Sequence, residues 1–230
     1  MSAGPWADVV LISDDAVTRI PVVERGDPLV DSTGTLGWTG PNTDPVARWV
    51  RAPLLERLAD AAATLPTDLR LALNEGFRLP VLQTRFYERY VARLRRLDPA
   101  ADDADVHRLA SRFVSPPGFA PHTAGAAADV VLTTPEGEIL DVGCPIDATP
   151  EESEGRCYTG HPDVTGDALL LRRELVRALG SAGLVNYPTE WWHWSFGDRY
   201  WALATGSPHA LFGPVDPPLA AVRLTDVPTG

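Results

Sequence analysis

Apolar positions along the chain change period several times, and each change marks an element. Leu54, Leu55, Leu58, Ala62 and Leu65 recur at helical spacing behind Pro53, which suits a first helical turn, and predict a helix. Leu69 to Leu73 reads as a short buried strand, and Pro80 opens a second helix through Leu82, Phe86, Tyr90, Val91 and Leu94. Asp105 to Val114 predicts a third helix. Ala127 to Thr133 and Ile139 to Val142 read as two strands joined by a turn that contains Gly137. A fourth helix, from about Asp167 to Ala182, stops near Gly183, where glycine supplies a left-handed cap. Strand-like segments follow at Leu184 to Asn186 and Trp191 to Phe196. Hairpins and separate helices predict an α+β fold, with a mainly antiparallel sheet flanked by helices. One domain over residues 1–230 is expected, closed by a proline-rich, extended surface tail from about Ser207.

Composition narrows the chemistry. Twenty basic against 31 acidic residues give a net charge of -11, which would repel a phosphate backbone, so no nucleic-acid partner is expected. All the basic residues are arginine, so neither Schiff-base chemistry nor a phosphate-loop lysine is available. No apolar run is long enough to span a bilayer, and the first residues lack the pattern of a secretory signal; a cytoplasmic protein with no membrane partner is expected. Cys144 and Cys157 fit that compartment as free thiols, with a local disulfide between them as the alternative.

Three segments carry candidate chemistry. In His122-Thr123-Ala124-Gly125-Ala126-Ala127-Ala128-Asp129, small residues separate an imidazole from a carboxylate that enters an apolar strand. A buried Asp satisfied by backbone donors, beside a loop His, would explain it; so would a zinc site, since small side chains let the loop double back until both groups reach one metal. Glu190-Trp191-Trp192-His193-Trp194 adds another imidazole and a carboxylate, although an aromatic core strand with a stray polar pair fits equally. In a regular strand Glu190 and His193 would face opposite sides, but Pro188 and Thr189 place Glu190 on the preceding turn, free to point back. Glu75-Gly76-Phe77-Arg78 lies between a strand and a helix. There Arg78 is either a surface ion-pair former or a fixed cation for an oxyanion, and Gln83 follows on the helix.

Taken together, Gly76-Phe77-Arg78 with Gln83, His122-x-x-Gly125-x-Ala127-x-Asp129 and Glu190-Trp191-Trp192-His193 closely resemble, in order and spacing, the zinc D-Ala-D-Ala dipeptidases of vancomycin resistance. That family belongs to the D,D-peptidases of hedgehog-like fold, and the match spans roughly Leu54 to Trp201. The resemblance implies one zinc ion per chain on His122, Asp129 and His193, with Glu190 as catalytic base and Arg78 stabilising the transition state. The family's Asp-x-Gly-x-x-Phe-Asp segment corresponds to Asp141 through Asp147, with Ile146 in place of the aromatic, and puts Asp147 where the substrate's ammonium is held. Where the family usually has serine two residues before the first histidine, this chain has Ala120, so weaker action on plain D-Ala-D-Ala is expected.

The resulting expectation is a zinc metallopeptidase that hydrolyses a small dipeptide, D-alanyl-D-alanine or a close analogue, through a metal-activated water, with Gln83 and Asp147 as substrate-binding residues. Two alternatives stay open: the same zinc site acting on another amide in cell-wall or secondary metabolism, and a non-catalytic binding protein of the same fold. His107, His161 and His209 are read as non-ligands, and Glu151, Glu152 and Glu154 as a solvated acidic loop. Oligomeric state is not legible in the chain.

Overall fold

The computed structural model describes residues 9–41 and 44–216. A short helix α1 (Asp15–Thr18) precedes strands β1 (Leu29–Asp31), β2 (Gly37–Trp38) and β3 (Trp49–Arg51). Then come α2 (Ala52–Ala63), β4 (Arg70–Glu75), α3 (Pro80–Leu97), α4 (Asp103–Ala110) and β5 (Ala127–Thr133). The chain continues through α5 (Gly166–Ser181), β6 (Val185–Asn186), β7 (His193–Ser195) and α6 (Arg199–Thr205). The main sheet has the order β2-β4-β5-β7-β6; every pair in it is antiparallel except β2 with β4, and β1 pairs with β3 in a separate two-stranded ribbon. This is the mixed α+β architecture that the changing period indicates.

All seven residues of β5 are buried, which makes it the centre of the core. Leu54 and Leu58 of α2, Leu71 and Leu73 of β4, Leu132 of β5 and Leu175 and Leu179 of α5 share one apolar cluster with Trp191, Trp192 and Trp194. Helices α3 and α4 form a smaller cluster of their own, in which Tyr90, Val91 and Leu94 pack on Val106, Ala110 and Val114. The space between that helical pair and the sheet is the cleft that holds the chemistry.

Two expectations change. Ile139 to Val142 forms no strand: Ile139 makes an isolated bridge to Thr133 and Leu140 N–H bonds Leu132 C=O, after which the chain leaves the sheet. Beyond Leu140 the chain turns on itself, Gly143 N–H bonding Asp141 Oδ1 at 2.7 Å, and among the described residues no further backbone bond from this segment to β5 follows. The described part of the tail is also less peripheral than its prolines suggest, because Ala210 bridges Val22, Phe212 is buried in the core, and Val215 N–H bonds Thr123 C=O. Residues 217–230 of that tail lie outside the described ones. Cys144 and Cys157 are free and buried, and among the described residues no helix is long and apolar enough to cross a membrane.

Candidate active site

Register builds the site. A β-bulge between Leu73 and Glu75 restores pairing so that Glu75 stands opposite Asp129, and Asp129 in turn stands opposite His193. Directly opposed residues in antiparallel strands project from the same face, so one transverse row of the sheet carries Glu75, Asp129 and His193 into the cleft. His122 arrives from a single 3-10 turn, Pro121–Ala124. Gly125 ends that turn at φ +64, and its backbone N–H bonds His122 C=O at 3.1 Å. Such a left-handed residue is costly with a Cβ, and it turns the chain directly into the alanine run of β5.

His122 is oriented by a contact that the motifs do not announce. Its Nδ1 donates to Gly76 C=O at 2.6 Å, which leaves Nε2 as the free lone pair. His122 Nε2 lies 3.2 Å from His193 Nδ1 and 3.4 Å from Asp129 Oδ1, and His193 Nδ1 is 3.0 Å from Asp129 Oδ1. Tetrahedral bonds of about 2.0–2.2 Å set ligand atoms roughly 3.3–3.6 Å apart, so this triangle is only slightly tighter than a metal ion demands. Among the described residues these three form the one His/Cys/Asp/Glu group able to hold a metal. All three are buried. Burial works against ionised Asp129, but His122 and His193 override it and hold its carboxyl well below the usual range. Burial likewise opposes a charge on His122, where Asp129 wins and raises its value, whereas burial prevails at His193 and lowers it.

Glu190 sits on the turn ahead of β7, as its neighbours Pro188 and Thr189 imply, and its Oε2 lies 3.8 Å from His193 Nδ1. Burial, then the negative charges of Asp129 and Asp147, push its carboxyl well above the ordinary range. Arg78 is an ion-pair former, though not a surface one. It is ion-paired to Glu75 through two nitrogens, with Nε to Oε1 at 2.8 Å, yet it lines the cleft with little exposure. Burial opposes its charge; Glu75 more than restores it and raises the guanidinium further. Gln83 accepts from Arg78 at 2.9 Å and donates to Ser115 C=O at 2.7 Å, so its amide is occupied in holding Arg78. Asp147 lines the same cleft at φ +61; although the residue is exposed, partial desolvation and the charges of Asp129 and Glu75 push it up to about 7.

Ala120 is buried and does not line the cleft, whereas Ser115 does. The acidic loop is tied down, not merely solvated: Glu151 accepts from Tyr90 and Arg112, each at 2.6 Å, and Glu152 accepts from Arg93 at 2.9 Å. Long-range pairing of this kind leaves no trace in local sequence. His107 bonds the Tyr87 hydroxyl at 2.8 Å, and neither it, His161 nor His209 lines the cleft. The roles of Glu75 and Gly76 were hidden inside the Arg78 motif; their only signal was an acid and a glycine at a strand end.

Two imidazoles and a carboxylate converging at about 3 Å, with a second carboxylate and a fixed guanidinium beside them in an α+β cleft, form the layout of a metal-dependent hydrolase. Residues 99–209 match the peptidase M15 family model, described as D-ala-D-ala dipeptidase. This stretch contains His122, Asp129, Asp147, Glu190 and His193. A D-alanyl-D-alanine dipeptidase of Synechocystis sp. is 35% identical over 96 residues, 39% of this chain, and the match spans only 39% of that relative's length. The LD-carboxypeptidase LdcB resembles the structure with a TM-score of 0.45 and 14% identity, over 80% of this chain and 75% of that one. VanYB in complex with D-alanine-D-alanine gives 0.44 and 14%, over 80% and 91%. A VanY D,D-pentapeptidase variant in complex with Zn(II) gives 0.41 and 15%, over 83% and 90%.

Proposed function

We propose that the chain is a zinc-dependent peptidase that hydrolyses a small peptide of the D-alanyl-D-alanine type, with one zinc held by His122 Nε2, Asp129 Oδ1 and His193 Nδ1. The observation that carries this reading is the mutual spacing of those three atoms, 3.0–3.4 Å, beside a buried carboxylate and a buried guanidinium. Bound there, zinc would supply a Lewis acid and lower the pKa of a coordinated water toward about 7. Glu190, buried on the turn ahead of β7 with its Oε2 3.8 Å from His193 Nδ1, takes the water's proton and passes it to the leaving amine. Arg78, fixed by Glu75 and Gln83, presents positive charge to the oxyanion and cannot act as the acid. Asp147 accepts the ammonium of an unblocked N-terminus. A non-catalytic binding protein would have no use for the buried Glu190 and Arg78, each of which costs desolvation energy.

Glu190→Gln tests the assignment. The amide keeps the shape but accepts no proton, so zinc content stays at one per chain while kcat on D-Ala-D-Ala falls at least about a hundredfold. Turnover near the parent's would remove Glu190 from its role.

A further inference from the structure

The cleft is larger than a dipeptide needs, and its outer half is basic in an acidic molecule. It measures about 720 Å³ and runs from the metal-ligand group along α3 past Phe86, Arg89, Arg93 and Arg96. From Gln83, which holds Arg78, to Arg96 is a rise of about 20 Å along the helix, whereas an extended dipeptide spans about 7 Å. Helix α3 carries five arginines and a single acid, Glu88, in a chain of net charge -11. Arg89, Arg93 and Arg96 follow one another at i, i+4 and i+7 and so share the face that borders the cleft. Arg93 is engaged by Glu152, while Arg89 and Arg96 are exposed and pair with no described residue. The acids opposite, Glu151 and Glu152, are already committed to Tyr90, Arg112 and Arg93. Two guanidinium forks without a partner among the described residues, at the far end of a cleft whose near end holds the proposed reacting groups, constitute an anion-recognition wall.

We infer that the substrate of this site extends beyond the scissile bond and carries an anionic group, carboxylate or phosphate, that Arg89 and Arg96 bind. The inference takes the cleft as the substrate site of the proposed hydrolase and rests on that reading. Neutral dipeptides would then fill only the inner third of the cleft and leave the outer arginines in water.

Calorimetry on the full chain, with and without added zinc, tests it by binding alone. The probes are D-Ala-D-Ala extended on either side by two glutamates, two glutamines or two phosphoserines. The glutamate form on one side is expected to bind roughly tenfold more tightly than its glutamine twin, with the advantage shrinking in 0.5 M salt. That preference should collapse to near one in Arg89→Gln/Arg96→Gln and invert in Arg89→Glu/Arg96→Glu. Phosphoserine binding well above glutamate would identify phosphate as the anion; parity would identify carboxylate. Equal binding of the glutamate and glutamine forms on both sides, or a preference that survives in the double variant, would overturn the inference. If zinc-loaded protein cleaves none of the probes while the charge preference persists, the hydrolytic reading fails and the anion site stands.

Discussion

Glu190 and Arg78 are ionisable side chains largely withdrawn from water in a cleft that Asp147, itself exposed, also lines, and their surroundings push the three in different directions. Glu75 keeps Arg78 charged, while Asp129 and burial discourage charge on Glu190 and Asp147. Arg78→Ala is expected to lower kcat by about 10²–10³ with zinc content unchanged, because a fixed donor to the oxyanion is lost; steady-state kinetics with metal analysis checks it. Asp147 makes a pH prediction on the metal-free protein. An acid raised from its ordinary value near 4 to about 7 in the folded state costs nothing below pH 4, an increasing amount as pH rises to 7, and a constant amount above. Asp147→Asn should therefore leave the Tm unchanged at pH 3.5 and raise it at pH 8 by only about 1–2 °C, because the side chain is exposed and solvent screens most of the like-charge penalty. A uniform shift at all pH values would show that the carboxylate is not penalised by burial and like charge.

At the level of elements, the site depends on strand ends and the turns that join them. Gly76 illustrates this: a Cβ there would meet Trp49 O at 2.5 Å and Val50 Cγ1 at 2.8 Å, so any side chain must push β4 from β3. The displaced atom of consequence is the Gly76 carbonyl, which fixes the His122 tautomer. Gly76→Ala should fold with reduced stability and bind zinc about 10–100-fold more weakly, as measured by chelator competition, although no ligand has been changed. Zinc affinity equal to the parent's would mean that Nδ1 needs no such partner.

For the whole molecule, the proposed metal joins pieces from distant parts of the chain: a 3-10 turn, the central strand and a strand near the C-terminal end. A ligand that binds only the folded form stabilises it by mass action, by about 4 kcal/mol at a thousandfold excess over Kd. Chelation should thus lower the Tm by roughly 10 °C in one cooperative transition, and re-addition of zinc should restore it. His193→Ala should show neither effect, and two separate transitions would count against a single domain over 1–230. A Tm indifferent to chelator would argue against any tightly held metal.

Much of this was legible without coordinates where the determinant is local. Helices at Pro53 and Pro80, the strand Ala127–Thr133 and the glycine stop at 183 follow from period, proline and cap chemistry within a few residues. His122, Asp129 and His193 stood out because polar groups in small or aromatic apolar runs need a reason, and the ordered motifs supplied one. Tertiary structure alone decided the rest. Strand register, a long-range property, brought Glu75, Asp129 and His193 into one row; the bulge before Glu75 cannot be read from its neighbours. Residues 139–142 look like a strand but lack a partner ladder, and only the fold shows that Gln83, which lines the cleft, also bonds Arg78 and Ser115. The arginines of α3 read locally as the solvated face of an amphipathic helix; only the packing of α3 and α4 beside the sheet turns that face into the wall of a cleft.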